Sequence, residues 1–213
     1  MRALRVLLVL LLAVWAFLFV YVVRWFRERF GRGGPMPASQ AAELLHPLRP
    51  WIHPVQQMLD KFRLKPGNAV LELGPGPGYF TIEAGRMVGS EGKVVCLDIQ
   101  REMISGLLKR LDEHGTTNAH PMVGDALNLP LADDSVDAAY LVTVLGEIPD
   151  RPRALAELRR VLRPGGVLSI SESLMDPDYQ LQDSVRDLCR AVGFEVLDHS
   201  RQPLGYTMCF AAP

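Results

Sequence analysis

Hydrophobic and polar positions divide this chain of 213 residues into two unequal parts. Val6 to Val23 is an unbroken uncharged stretch, almost all Leu, Val, Ala, Phe, Trp and Tyr. From Leu64 onward, short apolar runs alternate with segments whose apolar residues recur at helical spacing. Ala69, Val70, Leu71 and Leu73 mark a first buried strand, and Lys93 to Leu97 a second. Ala119 to Val123, Val136 to Val144 and Val167 to Ser171 mark three more. Between them, Phe80, Ile82, Met87 and Val88 supply one helix face. Met103, Ile104, Leu107, Leu108 and Leu111 supply the next, and Leu155, Leu158, Val161 and Leu162 a third. Pro152 opens that third helix, and Pro164-Gly165-Gly166 stops it. A fourth helix over Ser184 to Val192 ends at Gly193. Strands alternating with helices predict an α/β fold, a mostly parallel sheet with helices on both faces. Glu195 to Ser200 and Tyr206 to Ala211 close the chain as an antiparallel edge.

The first apolar stretch has a different use. As a helix, residues 6–23 would reach roughly 27 Å at about 1.5 Å per residue, close to the bilayer core. Trp25 and Phe26 stand where interfacial aromatics belong. A cleaved signal peptide would be shorter and would end in small residues, whereas large residues and Arg24 follow here. A buried core helix would carry a polar face. The expectation is therefore a single membrane-spanning anchor over residues 1–30. Arg24, Arg27, Arg29 and Arg32 outweigh Arg2 and Arg5, which predicts a cytoplasmic carboxyl side. Residues 31–37, rich in Gly and Pro, read as a linker, and residues 38–213 as the folded domain. Ala38 to Phe62 predicts two short helices interrupted by prolines.

The densest chemistry lies at the end of the first strand. Glu72-Leu73-Gly74-Pro75-Gly76-Pro77-Gly78 places three glycines on alternate positions between a strand and a helix. Such a turn lets a ligand lie against bare backbone, and helix-start amides can bind an anion. The second strand ends in Asp98, where a carboxylate can accept both hydroxyls of a ribose. A dinucleotide fingerprint, Gly-x-Gly-x-x-Gly, would require its third glycine at Tyr79.

The pattern present, Glu72-x-Gly74-x-Gly76-x-Gly78, instead resembles the first motif of class I S-adenosylmethionine (SAM) methyltransferases. Gly124-Asp125-Ala126, Asp134-Ser135-Val136-Asp137 and Val161-Leu162-Arg163-Pro164-Gly165-Gly166 resemble that family's later motifs, in order. The similarity runs from about Leu64 to Gly166 and is nearest to the ubiquinone/menaquinone-type methyltransferases. It implies a Rossmann-like sheet of seven strands and SAM as cofactor. It also implies a cofactor site built from Glu72, Gly74, Pro75, Gly76, Gly78, Asp98, Ile99, Asp125, Ala126 and Thr143, with Asp125 reading the adenine amino group. The segment Ala38 to Phe62, carrying His46, Trp51 and His53, is implied to lie over the pocket.

Methyl transfer needs alignment and exclusion of water more than a fixed catalytic group. Glu147, after the fourth strand, and Glu172, after the fifth, are the candidate bases or amine contacts. His53 and Tyr206 are candidate acceptor contacts. No Asn-Pro-Pro-Tyr motif follows the fourth strand, which speaks against DNA or glutamine methylation. No metal-ligating cluster stands out, and the net charge of −1 gives no footprint for nucleic acid. Three scattered cysteines, Cys96, Cys189 and Cys209, form no CxxC pair and fit a reducing compartment. The function expected is SAM-dependent methylation of a small, lipid-soluble acceptor near the membrane, because an anchor raises the local concentration of such an acceptor. An NAD-dependent oxidoreductase and a non-catalytic SAM-binding membrane scaffold are the competing readings.

Overall fold

The computed structural model describes residues 8–16, 18, 19, 21, 22, 34–46, 50 and 54–213. A 3-10 helix, Ala38–Leu45, is followed by α1 (Val55–Leu59) and a second 3-10 turn, Asp60–Phe62. Then come β1 (Ala69–Leu73), α2 (Thr81–Val88), β2 (Lys93–Asp98), α3 (Arg101–His114), β3 (Ala119–Val123) and β4 (Val136–Val142). A 3-10 turn, Leu145–Glu147, leads into α4 (Arg151–Val161), β5 (Leu162–Ser173), α5 (Gln182–Ala191), β6 (Glu195–Gln202) and β7 (Gly205–Ala211).

The strands form one seven-stranded sheet in the order β3-β2-β1-β4-β5-β7-β6. β7 alone runs against its neighbours, pairing antiparallel with both β5 and β6. The chain leaves β1 toward β2 on one side and later returns to β4 on the other. This reversal of winding opens a crevice beyond the carboxyl ends of β1 and β4.

Side chains alternate across the sheet, so each strand feeds two cores. On one face, Leu71, Ala139, Leu141, Leu168 and Ile170 pack under Leu155 and Leu158 of α4 and Val185 and Cys189 of α5. On the other, Val70, Val94, Cys96, Ala138 and Tyr140 pack under Ile82, Ala84, Ile104 and Leu107, with Met58, Leu59 and Phe62 covering the end. Cys96, Cys189 and Cys209 are all free thiols, all buried. β1 is buried at every position, as a central parallel strand must be.

Some boundaries differ from the sequence expectation. The helix after the glycine turn begins at Thr81, so Phe80, read as part of its buried face, precedes it, because residues 76–80 are spent in successive turns. β5 begins at Leu162 instead of Val167. Leu162 pairs with Val136, and the register then shifts before Ala138 pairs with Val167. Pro164-Gly165-Gly166 therefore bulges within the strand rather than preceding it, and its amide and carbonyl exchange bonds with Ala212. β4 ends at Val142, since Thr143 adopts φ +54° and cannot continue the strand.

The expected membrane span, residues 6–23, is described in part; Val6, Leu7, Phe17, Val20 and Val23 lie outside the described residues. Those described between 8 and 22 are helical, and their large apolar side chains stand exposed. Among the described residues no helix is long and apolar enough to cross a membrane.

Candidate active site

A cavity occupies the crevice at the reversal of the sheet. Its floor is the glycine turn, its sides the ends of β2, β3 and β4, and its cover Pro35, Met36 and Leu44. The turn needs glycine for packing as well as for conformation. Gly74 has φ +70°, and a Cβ there would stand 2.5 Å from Val144 Cγ2. Gly78 has φ +88°, and its Cβ would stand 2.4 Å from Leu107 Cδ1.

Two acids frame the turn. Asp98 is buried at the tip of β2; its Oδ2 accepts from Gly76 N at 3.3 Å and its Oδ1 from Gln100 N at 2.9 Å. Burial raises its pKa from the ordinary carboxyl value. Glu72 lies beneath the turn, 2% exposed, and its Oε2 accepts from Thr81 Oγ at 2.6 Å. This bond ties β1 to the first turn of α2. Burial pushes Glu72 up to about 7, against the lowering effect of its hydrogen bonds.

Of the remaining residues expected at the cofactor site, all but Gly78, which packs against Leu107 behind the turn, converge on the same cavity. Pro75, Ile99, Asp125, Ala126 and Thr143 all line it. Asp125 is exposed at the rim, and its Oδ1 accepts from Leu127 N at 2.9 Å, which shapes the turn after β3. Thr143, a β-branched residue in the left-handed region, holds the end of β4 open where the cavity begins.

The candidate catalytic acids separate. Glu147 lines the cavity, and its Oε1 accepts from Met36 N at 3.3 Å. Burial pushes it up to about 8, and the Asp176 carboxylate adds to the shift. Glu172 does not line the cavity. It is buried behind the 176–180 loop, with Oε2 accepting from Gln180 N at 3.2 Å and Oε1 buried without a hydrogen-bond partner. It too is pushed up to about 8, chiefly by burial. Tyr206 likewise stands outside the cavity lining: it sits opposite Glu172 in the antiparallel register, and its hydroxyl donates to Gln180 O at 2.8 Å. His53 and Trp51 lie outside the described residues, and His46 is exposed.

The sequence reading missed Met36 and Gln100. Met36 sits in the stretch read as linker, yet its carbonyl accepts from Gln100 Nε2 at 2.9 Å while its amide reaches Glu147. These partners are 64 and 111 residues away, and no local pattern announces them. The only local hint is that Gln100 follows the strand-tip Asp98 by two positions.

Charge narrows what the cavity can hold. Its lining contains Glu72, Asp98, Asp125, Glu147 and Asp176, and among the described residues no Lys, Arg or His. Such a lining fits a ligand carrying ribose hydroxyls and positive charge, which is the character of SAM. It does not suit the pyrophosphate of a dinucleotide. Among the described residues no group of His, Cys, Asp and Glu is placed to hold a metal ion.

Comparison with known proteins agrees with this chemistry. The family described as a methyltransferase domain matches residues 64–208. A ubiquinone/menaquinone biosynthesis C-methyltransferase of Vibrio campbellii is 35% identical over 130 residues, covering 59% of this chain and 50% of that protein. An arsenite methyltransferase of Halobacterium salinarum is 30% identical over 153 residues, covering 63% of this chain and 39% of its own length. The chain thus spans about half or less of these curated relatives. A SAM-dependent methyltransferase from Aquifex aeolicus superposes with a TM-score of 0.80 at 23% identity, over 84% of this chain and all of the other.

Proposed function

Because this chain belongs to the family of SAM-dependent methyltransferases, we propose that it methylates a small, lipid-soluble acceptor bound beside Glu147 and that its apolar amino-terminal segment keeps it at the membrane. The observation that carries this reading is the joining of the two ends of the site. Asp98, bonded to the glycine turn, and Glu147, at the end of β4, line one cavity under one cover.

SAM, when bound, supplies a methyl group on a positively charged sulfur with its leaving group already in place. The chain's own residues then bind and orient. Gly74 and Gly76 offer backbone to the cavity with no side chain in the way, Pro75 stands between them, and Gly78 closes the turn against Leu107. Asp98 accepts the ribose hydroxyls, Ile99 and Ala126 flank the base, and Asp125 accepts from its amino group. Glu72 braces the turn from below and gives a negative neighbour to the methionine ammonium. Thr143 and Glu147 border the acceptor side. Met36 and Leu44 exclude water from above.

One relative is named for ubiquinone/menaquinone biosynthesis and another for arsenite, so the family does not fix one acceptor. The lipid-soluble acceptor is inferred from this chain's own amino-terminal run: uncharged from Val6 to Val23, and exposed and helical where described. The arginine excess after it supports a cytoplasmic face for the domain.

The test uses the full chain, methyl-labelled SAM and membranes of the source organism. Label is expected in the organic-extractable fraction and is expected to disappear with Asp98→Ala. Label confined to aqueous or protein fractions would overturn the lipid acceptor. Binding of NADH in place of S-adenosylhomocysteine would overturn the cofactor.

A further inference from the structure

We propose that Tyr140 is a positioning residue for the amino-acid end of SAM: its hydroxyl donates to Glu72 when the methionine ammonium settles against that acid. This rests on the SAM reading above, in which Glu72 is the negative neighbour of the ammonium. Tyr140 lies in β4, where every other residue after Asp137 is apolar. It is 1% exposed, and its ring packs on Phe62 with centroids 5.1 Å apart. A phenylalanine would fill that place as well. The hydroxyl is the exception, for it is buried and among the described residues has no hydrogen-bond partner. Leaving a buried hydroxyl unpaired costs stability, so within the fold the chain gains nothing by keeping it.

Its surroundings direct it to the cofactor. Tyr140 and Glu72 both line the cavity. In the parallel register they stand side by side, with Cys96 beside Glu72 on the other flank. Cys96 and Tyr140 share one face of the sheet, beneath α2. From the start of α2, Thr81 Oγ donates to Glu72 Oε2 at 2.6 Å, and Cys96 Sγ approaches the same oxygen at 3.8 Å. The Tyr140 hydroxyl is near enough to favour the ionised form of Glu72, yet it stops short of a hydrogen bond.

Burial pushes Glu72 up to about 7, so near neutral pH the acid is divided between its two forms. An ammonium placed against it favours the anion. A carboxylate is an acceptor only, with about four lone-pair sites, whereas the neutral acid spends one oxygen as a donor. The arriving ammonium therefore makes Glu72 a stronger acceptor beside an unpaired phenol. The bond that forms is charge-assisted; it satisfies the hydroxyl and holds Glu72 ionised and in place. The adenosine end, at Asp98 and Asp125, takes no part in this.

The test measures binding, not turnover. The full chain in detergent is titrated calorimetrically near neutral pH with S-adenosylhomocysteine, then with 5′-methylthioadenosine. The second ligand keeps the adenosine and the thioether and lacks the amino-acid end. In Tyr140→Phe, S-adenosylhomocysteine should bind about tenfold more weakly, the factor expected of one charge-assisted hydrogen bond. Methylthioadenosine should bind as it does to the parent. Without ligand the variant should melt at the parent's temperature or above it, since an unpaired buried hydroxyl has been removed. An equal loss for both ligands, no loss for either, or a lower melting temperature overturns the proposal. If S-adenosylhomocysteine itself fails to bind the parent, the cofactor reading falls first, and this proposal with it.

Discussion

Glu172 shows how a single buried residue ties stability to pH. Its carboxyl is pushed up to about 8 by burial, while in the unfolded chain it ionises near an ordinary glutamate value. As pH rises between those two values, the unfolded chain gives up its proton and the folded chain keeps it. The unfolded state then binds fewer protons, and stability falls until the folded group also ionises. Glu147 adds a slope of the same sign, as does Glu72 up to about 7. Glu172→Gln keeps an acceptor for Gln180 N and removes the charge. It should raise stability at pH 9 by about 1–2 kcal/mol, given about 1.4 kcal/mol per unit and allowing for coupling to Glu147. At pH 5 it should change little. Denaturant unfolding at both pH values measures this, and an equal effect at both would refute the assignment. At this scale the sequence was partly legible. Asp98 could be read because a strand-tip acid sits at a fixed offset from a glycine turn. Glu147 could be placed after β4, but its separation from Glu172 by the cavity wall depends on side-chain direction and on a loop folding back, which no spacing encodes.

At the scale of elements, the glycine turn works by close packing between α3 and the end of β1. Leu107 of α3 occupies the space a Cβ at Gly78 would need. Gly78→Ala combines that clash with a left-handed backbone and should cost about 1–3 kcal/mol. A thermal shift of the full chain would show it, and S-adenosylhomocysteine affinity should fall with it. A neutral substitution would mean that the turn tolerates a side chain and is not the tight cradle described. A second close approach lies at the other end of the site: a Cβ at Gly146 would stand 2.0 Å from Asp178 O, so the turn after β4 and the loop after β5 touch backbone to backbone. The alternation of elements was readable from hydrophobic period because each helix and strand buries one consistent face. The start of β5 was not. Leu162, Pro164, Gly165 and Gly166 read locally as a stop signal. Pairing with Val136 and with Ala212 draws them into the sheet, and that is a tertiary effect.

For the whole molecule, among the described residues every buried member of the two cores on either face of the sheet lies at Met58 or beyond, and none comes from the amino-terminal apolar run. Removing residues 1–30 should therefore leave a folded, S-adenosylhomocysteine-binding domain. It should also shift the protein from the membrane fraction to the supernatant and sharply reduce methylation of membrane-extracted acceptor. Fractionation followed by label counting tests both parts, and a truncated protein that still sediments with membranes would refute the proposed role of that segment. The mostly parallel sheet was legible at this scale from the order of elements alone. The cover over the site was not: Met36 reads as linker by composition and becomes part of the cavity through contacts made far along the chain. The buried thiols have a practical consequence. Cys96, Cys189 and Cys209 are sealed in the interior, and burial raises each thiol's pKa, to about 12 for Cys189. Thiolates are what electrophilic dyes attack, so the folded protein should be nearly blind to maleimides. A single cysteine introduced at exposed Ile99, on the rim of the cavity, would then carry a fluorophore or spin label as the sole reporter, without any native cysteine having to be removed.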